Sequence, residues 1–180
     1  HGPRTRCGYI RLRRGNWSVV AKGFQRGGGA TMRVTYKGAD TANRRRYLQS
    51  RHPGRHHRHR YRYRRHRHRR RVRRTWSRTG WRFSIYKGPS GMTKTPSTLG
   101  LKRVGSTRIG RISLRNFRAF RRTLRRTPRV NFVWKAAGTV KIHRSGKYTF
   151  CTRSDDGSKL KVGSKLVVKN DGLHGPRTRC

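Results

Sequence analysis

The chain contains no glutamate, and its four aspartates face 51 lysines and arginines, leaving a formal net charge of +47 over 180 residues. Each scarcity removes a class of chemistry. There is no separated pair of glutamates of the kind glycoside hydrolysis uses. No Ser–His–Asp set or nucleophilic Cys–His pair stands out. The three cysteines form no CxxC and no Cys–His zinc spacing. No apolar run reaches membrane-spanning length, and no RRM, KH or helix-turn-helix pattern appears. Hydrophobic residues make up only 30%, so the core must be economical. A chain this basic repels itself and calls for counter-ions or an anionic partner. Nucleic acid and sulfated or carboxylated polysaccharide are the two polyanions that fit.

What is there is concentrated in GKYTFCTRSDDGSKLKVGSKLVVKNDGLHG, residues 146–175, which holds Asp155, Asp156 and Asp171. The segment reads as three strands with defined turns. Lys147 to Arg153 alternates with Tyr148 and Phe150 on one side. Ser154–Asp155–Asp156–Gly157 carries turn chemistry, because Asx side chains bond their own backbone and glycine accepts positive φ. Ser158 to Val162 is a second strand. Gly163–Ser164 turns the chain into a third, Lys165 to Lys169.

G-x-Y-x-F followed by S-D-D-G-S-x-L-x-V-x-x-x-L-V-V resembles the signature of the PA14 domain, and Trp134 to Gly146 is similar to the strand that precedes it in that family. The resemblance implies an all-β, antiparallel β-sandwich module of the kind found in adhesins, glycosidases and matrix proteins. It also implies a site. In sugar-binding members the paired aspartates grip calcium, here Asp155 and Asp156, with Asn170 and Asp171 as further oxygen donors. Calcium takes six to eight hard oxygens, which adjacent carboxylates help to supply. Against this, lysines 159, 161, 165 and 169 would weaken a dication site, and the resemblance equally allows Ser154–Asp155–Asp156–Gly157 as a structural turn, its carboxylates accepting backbone N–H groups or pairing with arginine.

HGPRTRC occurs at residues 1–7 and again at 174–180. This suggests one period of a tandem array. Under the PA14 resemblance, the strands following L-H-G are supplied by the start of the chain: Cys7 to Arg13, Asn16 to Phe24 with Trp17, Val19 and Ala21 on one face, and Ala30 to Tyr36 with Met32, Val34 and Tyr36. Residues 1–50 are then the C-terminal strands of one module and 76–180 the N-terminal and central part of the next. The sandwich is split along this chain, to be completed by a neighbouring copy or by the chain's own other half. Trp81 to Tyr86 reads as the first strand of the later part. Residues 115–126 are expected to be loop, since their arginines leave no clean apolar stripe.

Residues 51–75 are an Arg/His-rich linker or arm, with nothing to bury. Arg58, Arg60, Arg62, Arg64, Arg67, Arg69, Arg70 and Arg71 are its polyanion-binding candidates. Counting by period, Cys151 is expected to bond Cys180, with Cys7 bonding the Cys151 of a preceding copy, a link of roughly 3–4 kcal/mol. Asn16–Trp17–Ser18 is an N-glycosylation sequon. Together these features predict a non-enzymatic, extracellular or cell-surface repeat protein that assembles head-to-tail with copies of itself into a fibre and binds glycans. The alternative is a basic nucleic-acid-binding protein gripping phosphates through residues 55–74.

Overall fold

The computed structural model describes residues 4–50 and 80–173. They form two antiparallel sheets packed face to face. The strands are β1 (Arg4–Leu12), β2 (Gly15–Gln25), β3 (Thr31–Lys37), β4 (Arg46–Tyr47), β5 (Trp81–Lys87), β6 (Arg103–Ile109), β7 (Ser113–Leu114), β8 (Phe132–Ile142), β9 (Gly146–Asp155), β10 (Ser158–Val162) and β11 (Lys165–Asn170). One sheet runs β1-β9-β3-β4, with β7 also on β3, and the other runs β11-β10-β2-β8-β5-β6.

The period of two decides which side chains are inside. Along β9, Tyr148, Phe150, Thr152 and Ser154 are buried, whereas Lys147 and Arg153 are exposed. On β2, Val19 and Ala21 point inward, and on β3, Met32 and Val34 do. These meet Trp81, Phe83, Ile85, Trp134, Val140 and Leu160 in one continuous core. Tyr148 is fully buried; its hydroxyl donates to the Arg144 carbonyl at 2.7 Å. Burial, with Asp40 next, pushes that hydroxyl up to about 12.

The split expected from the sequence is closed within the chain. β1 and β3 both pair with β9, and β2 lies between β8 and β10. The two segments assigned to successive modules therefore share the same two sheets. The pairing register explains why: each early strand brings its apolar face to the same side as its partner's, so that Ile10 stands opposite Tyr148 and Val34 opposite Thr152.

The disulfide also differs from expectation. Cys7 bonds Cys151 of the same chain, not Cys180 to Cys151, because the β1–β9 register sets Cys7 directly opposite Cys151. Cys180 lies outside the described residues.

The 115–126 loop is a further correction. It contains a helix, α1 (Phe117–Thr123), whose Asn116 cap accepts from the Ala119 N–H at 3.0 Å. Phe117, Phe120 and Leu124 recur at helical spacing and pack on the core. Phe120 meets Phe132 at 5.5 Å between ring centroids. The arginines sit around this narrow stripe without interrupting it.

Candidate functional site

The aspartate turn is built where β9 hands over to β10. Ser154, Asp155, Asp156, Gly157 and Ser158 are all buried, so this is an interior corner and not a surface turn. The strand runs on through Asp155, and the Asp155–Asp156 peptide is cis. Around it lies a buried polar network. Ser154 Oγ donates to Ser158 Oγ at 2.7 Å, Ser158 Oγ to Thr152 Oγ1 at 3.1 Å, and Asn170 Nδ2 to Ser154 Oγ at 3.2 Å. Two glycines make the corner possible. A Cβ on Gly157 would stand 2.6 Å from the Phe24 ring, and one on Gly29 would stand 3.0 Å from Asp155 Oδ2.

Each aspartate has a distinct employment. Asp156 Oδ2 accepts the Arg26 backbone N–H at 2.8 Å, fastening the loop after β2 to the corner. Asp155 is 5% exposed; burial, followed by the neighbouring Asp156 charge, pushes its carboxyl up to about 6. Asp171 Oδ1 accepts from both the N–H and the hydroxyl of Thr95 at 2.7 Å, and its Oδ2 pairs with Lys159 Nζ at 2.7 Å. Burial pushes the Asp171 carboxyl up, but the Lys159 ammonium and the Thr95 donors outweigh it and hold the group below its ordinary range. Asp40 lies elsewhere, accepting the N–H groups of His143 and Arg144 at 2.7 and 2.8 Å.

Asp155 and Asp156 stand side by side, and Asn170 bonds the neighbouring Ser154. Asp171, besides holding Thr95 and Lys159, also borders the corner, its Oδ1 3.0 Å from where a Cβ on Gly157 would stand. Among the described residues, no group of three or more His, Cys, Asp or Glu is arranged to hold a metal ion. The donor chemistry present amounts to one carboxylate pair, partly committed to a backbone N–H.

Of the remaining expected sites, Asn16 is exposed near the start of β2. The arginines at 58, 60, 62, 64, 67, 69, 70 and 71 lie outside the described residues. The two feet of that arm can be placed: Gln49 bridges Arg111, and Trp81 pairs with Ile109.

Two features were not anticipated from the sequence. Cationic side chains lie over aromatic rings, Lys147 above the exposed Tyr9 at 4.3 Å and Arg111 above the half-buried Tyr47 at 5.6 Å. In addition, the outer face of the six-stranded sheet carries a cross-strand row of lysines. The strand positions of these lysines are readable from the sequence, but their alignment depends on β2 lying between β8 and β10.

Among the described residues, no helix is long and apolar enough to cross a membrane. No curated protein and no solved structure matches the chain. The strands β8 to β11 and the aspartate corner all fall within residues 125–179, the stretch that matches the family model of the PA14 domain.

Proposed function

We propose that this protein is a non-enzymatic, extracellular adhesive module that binds polyanionic glycans. PA14 domains are associated with carbohydrate binding and adhesion; they are generally binding modules, although some occur in glycosidases, and they are typical of extracellular or secreted proteins. The observation that carries the anionic specificity is the charge account of the folded module. Four aspartates cannot answer 51 cations, and three of them, Asp40, Asp156 and Asp171, are occupied by backbone N–H groups. Among the described residues the lysines and arginines are largely exposed, toward a partner that supplies the missing negative charge.

Three finer elements belong to the same reading. Asp155 and Asp156 are the pair that would take calcium, with further oxygens coming from backbone, water or glycan. The exposed Asn16 is the glycosylation acceptor. Head-to-tail assembly into a fibre is supported by the repeated HGPRTRC, and because β1–β3 close the sandwich within one chain, such a fibre would join complete modules.

The charge also favours nucleic acid, through the arm at 55–74. The two readings are separated by binding measured against a heparin-type tetrasaccharide, its desulfated and carboxyl-reduced counterpart and a single-stranded oligonucleotide of matched charge, each over a salt series. Tighter binding of the sulfated glycan supports the proposal. Tighter binding of the oligonucleotide, or no binding of the sulfated glycan, overturns it.

A further inference from the structure

The outer face of the six-stranded sheet holds a row of four lysines on four adjacent strands. Lys135 on β8 stands opposite Lys22 on β2, Lys22 opposite Lys159 on β10, and Lys159 opposite Lys169 on β11. The period of two puts all four on the side away from the core, since Trp134, Ala21, Leu160 and Val168 next to them are buried. Lys161 and Arg82 extend the same face one step along the strands. Like charges directly opposite each other across a ladder cost stability, and here three such pairs follow one another.

The closeness of the row shows in its own chemistry. Lys22 is held below the ordinary lysine range by burial first, and then by Lys159, Lys135 and Lys161, with only Asp171 opposing. Asp171 is the one carboxylate at the row, and it pairs with Lys159 at 2.7 Å. It holds the row at one point while also tying down Thr95 of the loop between β5 and β6. Lys22, Lys135 and Lys169 remain for another anion.

We propose that this lysine row is the binding site for an extended polysaccharide bearing a carboxylate or sulfate on its rings. This rests on the glycan reading above and gives it a location and a ligand class. The backbone positions of the row repeat at the strand spacing, about 4.8 Å, comparable to the length of one pyranose ring, so that an extended acidic sugar chain laid across the strands passes Lys135, Lys22 and Lys169 in turn. Lysine ammonium is a compact charge on a flexible stem and can follow such a chain without a fixed fork geometry. Single-stranded nucleic acid is the poorer fit. Its binding sites use open aromatic faces for base stacking, whereas the aromatic residues beside this row, Phe24 and Tyr86, pack with Met92 and Val133, Phe24 fully and Tyr86 half-buried.

The test compares two triple variants of the whole chain for affinity toward a heparin-type tetrasaccharide. One is Lys22→Gln/Lys135→Gln/Lys169→Gln. The other, Arg45→Gln/Arg46→Gln/Arg111→Gln, removes the same charge from the exposed arginines around Tyr47. The row variant is expected to lose about tenfold or more, and the arginine variant less than about threefold, because a direct ion pair with the glycan is worth more than the screened attraction of a distant charge. In parallel, lysine acetylation of the unsubstituted protein is mapped with and without the tetrasaccharide, with Lys22, Lys135 and Lys169 expected to be protected and Lys87 and Lys102 not. Equal losses in the two variants, a larger loss in the arginine variant, or acetylation at the row unchanged by the glycan overturns the location while leaving the glycan reading standing. No binding by the unsubstituted protein overturns both.

Discussion

Replacing Asp155 with asparagine should make the protein more stable at neutral pH and leave it unchanged in acid. The folded chain holds the Asp155 proton up to about pH 6, whereas the ordinary value is 3.8. The folded state thus binds more protons than the unfolded one between those values. By linkage, the contribution of this group to stability is complete below 3.8 and is lost as pH rises toward 6. A rise of about two pH units at about 1.36 kcal/mol each makes the penalty about 3 kcal/mol at pH 7 to 8. Asn has nearly the same shape and no charge, so Asp155→Asn relieves both the burial of the charge and its repulsion from Asp156. For a domain of this size, about 3 kcal/mol corresponds to a melting-temperature increase of roughly 6–12 °C. Urea unfolding of the two proteins at pH 7.5 and pH 3.5, in calcium-free buffer, reads the effect directly. A gain at pH 7.5 that vanishes at pH 3.5 is the expected outcome. A variant less stable at pH 7.5, or one shifted equally at both pH values, refutes the electrostatic account of the corner.

The Cys7–Cys151 bond closes a sequence separation of 144 residues, and by the chain-entropy relation its removal should cost about 5 kcal/mol; peptide mapping without reductant should recover that crosslink, and a Cys151–Cys180 crosslink would contradict the strand register. Gly23→Ala should destabilise by about 1–3 kcal/mol, because a Cβ there meets the Trp134 ring and stands 2.5 Å from the Gly157 carbonyl oxygen; an unchanged denaturation midpoint would show that the corner has room the structure does not give it. If Asp155 and Asp156 take calcium, added calcium should raise the melting temperature at pH 7.5, and the Asp155→Asn/Asp156→Asn double variant should abolish that rise. A calcium-independent melting curve would leave the pair as a structural corner alone.

Much of the sandwich was legible in the letters. The alternation in 147–153, 158–162 and 165–169 follows directly from the pleat and the 163–164 turn from Gly163 at positive φ, so these strands appear within a residue or two of where the sequence puts them; the 154–157 turn is instead a corner that β9 enters through Asp155, with Gly157 needed for space and not for positive φ. α1 was less legible because seven residues give an apolar stripe only Phe117, Phe120 and Leu124 to write itself with, and interspersed arginines mask it. The Asn116 cap was the signal that could have exposed it.

The sequence by itself determined most of the strands and an overwhelming cationic surplus with only four carboxylates to meet it. Those properties follow from local periodicity and from counting. Only the tertiary structure decided which segments belong together. Whether Cys151 bonds Cys7 or Cys180, whether β1–β3 complete this chain's sandwich, and that Asp171 pairs with Lys159 all depend on strand order and register. These pairings link residues more than a hundred positions apart or select among several nearby charges, and no local pattern specifies them. The lysine row has the same origin: its members lie on four strands, and only the hydrogen-bonded register between those strands brings them into line.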